Sequence, residues 1–440
     1  MGSYIPSTPA QRQEMLEAIG LHDFRQLYRD VPEEMLLRDG LDLPEGMSEL
    51  EVSRTMTAMA ARNIAYSAIL RGAGAYDHYI PSLVKYVPAK EEFLTAYTPY
   101  QAEMSQGILQ SIFEYQTMIC QLTGMDVSNA SVYDGATAAA EAAAMCRDRK
   151  RRVTLISAAA HPDTINTVRT YCYGTGDELR VVPVKDGRTD PEALRQMLAG
   201  GDVSGVYIQQ PNFFGQLEEA EALGEIIHQG GALYILGVNP IAAAILKTPR
   251  DCGADVAVGE GQPLGMPLGW GGPYLGFMAT VQKHMRKLPG RIVGQTKDVD
   301  GEIGYVLTLS AREQHIRREK ANSNICSNQS LMALYVTIYL SLMGKKGLRQ
   351  VCDLSYGAAH YLHDRLIETG LFSEAFNRPF LKEFALHTDI PADRLQQALL
   401  DGGFFGALPT EEGLVTFCAT ERRTREEIDR MIDLIKQIQL

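Results

Sequence analysis

The chain has 440 residues, of which 45% are hydrophobic and 22% are charged, a composition that excludes a disordered or fibrous protein and allows a sizeable core. Its formal net charge of -12 argues against a nucleic-acid or anionic-membrane partner, because both require a basic surface. The seven cysteines form no Cys-x-x-Cys pair and no apolar run approaches membrane-spanning length, so we expect reduced thiols, no metal site and a cytoplasmic protein.

The first region, residues 1–126, is predicted to be mainly helical. Ser48, followed three residues later by Glu51, is typical of a helix start. The helix that follows would carry an apolar side made of Met56, Met59 and Ile64. The Gly-Ala-Gly at 72–74 is interpreted as a turn, because it does not lead from a strand into a helix as a nucleotide-binding loop would.

The second region, residues 127–328, alternates short apolar strands with helices. The predicted strands are 153–156, 180–184, 205–209, 232–236, 255–258 and 277–281, and 218–228 is one of the helices between them. This alternation predicts an α/β domain with a mostly parallel sheet that is covered on both faces. The third region, residues 329–440, begins with a helix at 331–343 and is predicted to be a small α+β domain.

The segment Asn-Ala-Ser-Val-Tyr-Asp-Gly-Ala-Thr-Ala at 129–138 leads into an alanine-rich helix. Backbone amides at a helix start can bind a phosphate group with the help of the helix dipole. Asp134 can equally be a simple helix cap, and we favour that interpretation. His161, which follows a predicted strand, has two open interpretations: a ring placed over a cofactor, or a loop histidine with satisfied hydrogen bonds.

The apolar strand at 255–258 runs into a glycine-rich loop that contains no lysine before Gly276. The layout resembles pyridoxal-phosphate (PLP) enzymes of the aspartate-aminotransferase type, fold type I. In those enzymes this loop carries the Schiff-base lysine, and an upstream strand ends in an aspartate facing the pyridine nitrogen. Gln262 or Pro263 stands here in the lysine place and Leu236 in the aspartate place. The resemblance implies a subunit without a catalytic residue of its own.

Two polar segments are candidates for binding. Residues 97–107, Tyr-Thr-Pro-Tyr-Gln-Ala-Glu-Met-Ser-Gln-Gly, could orient a small zwitterion, or could be a domain-capping loop whose tyrosines belong to the core. Residues 312–326, Arg-Glu-Gln-His-Ile-Arg-Arg-Glu-Lys-Ala-Asn-Ser-Asn-Ile-Cys, are the strongest basic concentration. They could bind an acidic partner, bracket a carboxylate or act as a hinge between domains.

Both segments, together with Phe-x-Tyr-Gln-Thr-Met at 113–118 and Asn-Ala-Ser-x-x-Asp-x-x-Thr-Ala at 129–138, are similar to the P-protein family of the glycine cleavage system. The similarity runs from about Tyr4 to the C-terminus, and within the family the chain resembles the first subunit of the two-chain form. The resemblance implies a PLP-dependent oxidoreductase that decarboxylates glycine, transfers the aminomethyl group to the lipoyl arm of the H-protein and releases CO2.

The resemblance also implies that a second subunit carries the lysine and PLP, in a hetero-tetramer of two chains of each kind, and that this chain alone is inactive. The residues expected to complete the second subunit's site are Tyr97, Thr98, Tyr100, Gln101 and Ser105. The expected remnants of an ancestral cofactor pocket are Asp134, Gly135, Ala136, Thr137 and His161. The candidates for the H-protein contact or the lipoyl channel are Arg312, His315, Arg317, Arg318 and Lys320.

Two rival interpretations stay open at this point. The chain could be a self-sufficient PLP enzyme that uses another lysine, such as Lys283 or Lys320. It could also be a non-catalytic regulatory or scaffold protein with a recycled PLP-enzyme fold.

Overall fold

The computed structural model describes residues 6–37, 40–94, 99, 101–312, 314–321, 323, 325 and 328–438. The chain divides into two units, Met1–Ala65 and Tyr66–Leu440. The predicted boundary at residue 126 falls inside the second unit, and the three-region division of the chain stays a prediction. Within the described residues, no helix combines the length and the apolar character needed to cross a membrane.

The α-helices include those predicted after Ser48, after the segment 129–138, at 218–228 and from 331. Their bounds are α1 Pro9–Ala18, α2 Glu49–Ala60, α3 Ser82–Tyr86, α4 Glu91–Leu94, α5 Gln106–Thr123, α6 Gly135–Cys146, α7 Pro162–Thr175, α8 Pro191–Leu198, α9 Ala220–Gln229, α10 Gln314–Arg317, α11 Ser330–Glu368, α12 Ala392–Asp401 and α13 Arg425–Ile435. The strands are β1 Ala68–Leu70, β2 Val127–Ser128, β3 Val153–Ser157, β4 Glu178–Val182, β5 Val184–Lys185, β6 Arg188–Thr189, β7 Val203–Gln210, β8 Leu233–Val238, β9 Val256–Glu260, β10 Gly276–Thr280, β11 Ile292–Lys297, β12 Ile303–Thr308, β13 Phe372–Glu374, β14 Glu383–Thr388, β15 Phe404–Gly406, β16 Leu408–Pro409 and β17 Val415–Cys418.

The first unit holds helices α1 and α2. A capping box starts α2: the Ser48 hydroxyl accepts from the Glu51 N–H, and the Glu51 carboxylate accepts from the Ser48 N–H. The helix ends at Ala60, so the prediction that it extends to Ile64 was wrong. Among the described residues of this unit, Leu16 alone is buried.

The second unit is built on a seven-stranded sheet in the order β2-β10-β9-β8-β7-β3-β4. The four neighbouring pairs from β9 to β4 are parallel, and β10 pairs in antiparallel fashion with both β9 and β2. Because parallel strands need crossover connections, helices cover both faces of the sheet. Apolar residues of α6 and α7 pack on one face, and those of α5, α8, α9 and the first half of α11 pack on the other.

The C-terminal part forms a separate sheet in the order β13-β14-β17-β16, covered by α12, α13 and the second half of α11. Gly344 interrupts α11 with φ 58° and ψ -175°, one residue after the predicted end of the helix at 343. Strand β1 pairs in parallel with β15, so the chain just after the first unit joins the C-terminal part. This arrangement brings residues 71–79 close to residues 382–383 and 420–423.

Candidate functional site

A cavity of about 320 Å³ lies at the carboxyl ends of β3, β7, β8 and β9. Parallel strands end at one edge of a sheet, where open α/β folds bind their ligands. Each strand contributes a lining residue: His161 follows β3, Asn212 follows β7, Asn239 follows β8 and Glu260 ends β9. The alternation of short strands and helices therefore positions this cavity.

The remaining walls come from segments that are distant in the sequence. Residues 73–76, Lys382 and Glu383 line the cavity opposite the strand ends. The Glu383 carboxylate accepts from the Ala73 N–H at 2.6 Å and from the Tyr76 hydroxyl at 2.9 Å. Ala73 has a φ of 57°, so the Gly-Ala-Gly segment is a turn as predicted. Its place in the cavity wall was not predicted.

Glu260 is the central acidic group of the cavity. One carboxylate oxygen accepts from the Gly135 N–H at 2.9 Å, and the other accepts from the N–H groups of Gln262 at 2.9 Å and Leu275 at 3.1 Å. Burial raises the pKa of Glu260 to about 7, against the opposing effect of the three amides, and the nearby Asp134 carboxyl adds to the rise. Sequence analysis missed this residue, which lies two residues beyond the predicted strand 255–258 and ends β9 in the structure.

Four of the predicted pocket remnants, Asp134, Gly135, Ala136 and Thr137, are consecutive residues at the start of α6. Asp134 caps the helix, because its Oδ1 accepts from the Thr137 N–H at 2.7 Å. Asp134, Gly135 and Ala136 line the cavity beside Glu260. The capping role favoured from the sequence is therefore present in the structure.

His161 also lines the cavity, and both of its ring nitrogens have partners. Nδ1 accepts from the Asp163 N–H at 3.1 Å, so Nε2 carries the proton and donates to the Ala73 carbonyl at 3.0 Å. Burial lowers the pKa of His161, which keeps the ring neutral. The histidine therefore has the satisfied hydrogen bonds of the second interpretation, and it lies at the cavity; its place over a cofactor stays a prediction.

Gln262, at the expected lysine place, is buried and ties the loop at 73–76 to the sheet. Its Oε1 accepts from the Tyr76 N–H at 2.8 Å, and its Nε2 donates to the carbonyls of Tyr76 at 3.0 Å and Met266 at 2.9 Å. Pro263 lines the cavity. Leu236, expected at the aspartate place, belongs to β8, and its side chain is buried in the hydrophobic core. A lysine could not replace Gln262 in this role, because an ammonium group accepts no hydrogen bond.

Lys382 is a lysine in the cavity wall that sequence analysis did not single out. Its Nζ lies 2.8 Å from His78 Nε2 and 3.7 Å from the centre of the Tyr76 ring. Burial lowers the pKa of Lys382. Burial lowers the pKa of His78 to about 4, and the nearby Lys382 ammonium adds to this lowering. His78 Nδ1 lies 2.7 Å from the Glu421 carboxylate. Lys382 is therefore held inside a packed network.

The described residues among the other predicted groups do not line this cavity. Tyr97, Thr98 and Tyr100 fall outside the described residues; Gln101 is exposed, and Ser105 is buried at the start of α5. In the basic segment, Arg312 donates to backbone carbonyls, including that of Gly290 at 2.9 Å. Arg317, Arg318 and Lys320 are exposed, and the placement of the His315 side chain is outside the description. The rival lysines Lys283 and Lys320 do not line the cavity.

The residues of this cavity do not fit PLP. Pro263 in the wall and Gln262 behind it leave no lysine at the Schiff-base position. The Gly135 amide, at the helix start where a phosphate would bind, is already bound by Glu260. Among the described residues, the acidic side chains that line the cavity, Asp134, Asp163, Glu260 and Glu383, outnumber its one basic side chain, Lys382, and His161 is neutral. This acidic lining disfavours a phosphate dianion.

The fold defines the class of protein. The chain resembles an alanine–glyoxylate aminotransferase from Nostoc, with a TM-score of 0.60, 15% identity and coverage of 92% of this chain and 98% of that one. The prediction of an α/β, PLP-dependent transferase fold of type I with a mostly parallel sheet is confirmed at the level of fold.

The family follows from closer similarities. The family described as glycine cleavage system P-protein matches residues 2–435. A crystal structure of glycine decarboxylase (P-protein) of the glycine cleavage system, in inhibitor-bound form, is similar over 100% of both chains with a TM-score of 0.92 and 41% identity. Proteins named probable glycine dehydrogenase (decarboxylating) subunit 1 are 49% identical in Moorella thermoacetica, over 99% of both chains, and 48% identical in Carboxydothermus hydrogenoformans, over 98% of this chain and 99% of that one. The chain belongs to the glycine cleavage system P-protein family, as its motifs indicated.

Proposed function

We propose that this chain is the first subunit of a two-subunit glycine dehydrogenase (decarboxylating), and that a second, lysine-bearing subunit holds PLP. The observation that carries the proposal is the full-length similarity to proteins named subunit 1 of that enzyme. The misfit between the cavity and PLP supports the assignment of the cofactor to the other subunit. The complex would decarboxylate glycine, pass the aminomethyl group to the lipoyl arm of the H-protein and release CO2. The cytoplasm stays its predicted compartment.

The N-terminal unit supports the need for a protein partner. Its helix α2 exposes Val52, Met56 and Met59, which recur at helical spacing and therefore share one face. Met56 is 59% exposed and Met59 is 55% exposed. A contiguous apolar face of this kind is typical of a surface that another protein covers. We assign the second subunit as the protein that covers it.

The chain would complete the second subunit's site with residues from 97–105. Gln101 is exposed and so is able to reach a neighbouring chain, which supports its place in a shared site. Arg317, Arg318 and Lys320 are exposed cations and suit an acidic H-protein surface. The expected assembly has two chains of each kind, which light scattering of the mixed subunits would measure.

The test uses this chain, the second subunit, H-protein, PLP and glycine labelled at its carboxyl carbon. Labelled CO2 should be released when both subunits are present, and release should be at background with either subunit alone. If adding this chain leaves the rate of the second subunit unchanged, the regulatory or scaffold alternative holds instead. If this chain alone retains PLP on a lysine after borohydride reduction, it is a self-sufficient enzyme.

The shared site has a separate test with a matched control. Gln101→Ala should lower the rate of CO2 release by the complex by about tenfold, which corresponds to about 1.4 kcal/mol of lost transition-state stabilisation. Gln110→Ala removes another exposed glutamine, on α5, and should leave the rate unchanged. Equal rates for the two variants, with assembly intact, would remove Gln101 from the shared site.

A further inference from the structure

Three backbone amides from separate segments converge on one side chain at the cavity. Gly135 lies at the first turn of α6, Gln262 lies just after β9, and Leu275 precedes β10. Their N–H groups all donate to the Glu260 carboxylate, at 2.9, 2.9 and 3.1 Å. Convergent backbone amides at a helix N-terminus are the usual chemistry of a phosphate or other anion site. Here the acceptor is a side chain of the protein itself, Glu260.

The helix start is packed directly on Glu260. A Cβ atom built at Gly135 would lie 2.9 Å from the Glu260 Cβ and 3.0 Å from its backbone nitrogen, so even a methyl group does not fit between them. These close contacts are to the backbone and Cβ of Glu260, so they fix the helix start against the end of β9. The Gly135 N–H itself is occupied by the Glu260 carboxyl group, whose removal would leave the amide open.

We propose that the Glu260 carboxyl group is a built-in acceptor that fills the backbone-amide cradle of this cavity and thereby excludes ligands that carry a phosphate group. The proposal rests on the proposed function only in taking PLP to belong to the second subunit. It goes further by naming the group that keeps PLP out of this chain. The absence of a lysine prevents only the covalent bond to PLP. Without Glu260, the three amides would still be able to bind the phosphate group of PLP.

The consequence is that removing the side chain should create a phosphate site. In Glu260→Ala the amides of Gly135, Gln262 and Leu275 lose their acceptor and face the cavity. Unsatisfied amides in a cavity bind an added anion that restores the lost hydrogen bonds. Glu383→Ala is the matched control, because it removes a carboxylate from the same cavity but leaves the three amides bound to Glu260.

The experiment measures thermal unfolding of the full chain in inorganic phosphate and in sodium chloride of equal ionic strength. Phosphate should raise the midpoint of Glu260→Ala by several degrees more than chloride does, and it should not do so for wild type or Glu383→Ala. PLP should give the same selective rise, and pyridoxal, which lacks the phosphate group, should not. An equal response to phosphate and chloride in Glu260→Ala, or the same rise in Glu383→Ala, would overturn the proposal.

Two features keep the test decisive. Glu260→Ser is a second variant, since its short hydroxyl also leaves the amides open. If both variants unfold in chloride buffer, they should recover a cooperative transition when phosphate is added, and failure to recover would also overturn the proposal. The measurement involves neither the second subunit nor glycine, so its outcome is independent of whether the complex releases CO2.

Discussion

The raised pKa of Glu260 makes the stability of this chain depend on pH in a way that one substitution can isolate. Burial raises the pKa of this carboxyl from 4.5 to about 7 in the folded protein. Between these two values the folded state holds a proton that the unfolded state has lost, so stability falls as pH rises. The contribution is fully present below pH 4.5 and is lost as pH passes through about 7.

The size of the effect follows from the shift. A difference of about 2.5 pKa units corresponds to about 3 kcal/mol, and allowing for water in the cavity reduces this to about 2 kcal/mol. Glu260→Gln cannot satisfy all three amides, because an amide has one acceptor oxygen, so this variant is less stable than wild type at every pH. Its deficit should shrink by about 2 kcal/mol between pH 5 and pH 8, because only wild type loses the protonated carboxyl.

Urea unfolding at several pH values, followed by circular dichroism, measures this deficit directly. The informative quantity is the difference between the two proteins, since other titrating groups contribute equally to both. A constant deficit from pH 5 to pH 8 would show that Glu260 is already ionised at pH 5, and that the three amides outweigh burial. A deficit that grows with pH would reverse the sign of the argument.

Two further predictions concern the lysine place and the N-terminal helix. Gln262→Lys should bind no PLP, as judged by borohydride reduction and intact mass; a pyridoxyl adduct on the new lysine would contradict this. The variant should also lower the free energy of unfolding by about 2–4 kcal/mol, because the Tyr76 N–H loses its acceptor and a cation is buried. Met56→Asp should raise the dissociation constant for the second subunit at least tenfold, as measured by titration calorimetry. Thr57→Asp lies off the apolar face and should leave this constant unchanged. Equal weakening by both variants would point to loss of the helix instead.

The sequence predicted the frame of this fold because its signals are local. Strand β7 was predicted at 205–209 and spans Val203–Gln210, and helix α9 was predicted at 218–228 and spans Ala220–Gln229. Apolar runs and helix starts depend on neighbouring residues, so one chain suffices to find them. The exception is α2, which ends at Ala60, short of the predicted Ile64, because an apolar residue at helical spacing does not itself extend a helix.

The site was predicted only in part because its walls meet through tertiary contacts. The strand ends and the start of α6 follow from the parallel sheet, and they placed Asp134 and His161 at the cavity. Lys382 and Glu383 come from the C-terminal sheet, more than 100 residues after β9, and no local pattern marks them. Glu260 could have been predicted, because it closely follows the predicted strand 255–258 at the ligand-binding edge, but the sequence analysis searched this loop for a lysine and did not consider the acid two residues before Gln262.

Glu260 and Gln262 lie on either side of one residue, and they suppress the two halves of cofactor binding by different means. Gln262, one of the two residues expected at the lysine place, has an amide that both donates and accepts, which holds the cavity wall at 73–76. Glu260 fills the phosphate position with a carboxylate. Either change alone would leave a partial site: a cradle without a lysine, or a lysine without a cradle. Because both side chains also hold the cavity walls together, restoring covalent PLP binding would require both reversals and would remove contacts that stabilise the fold.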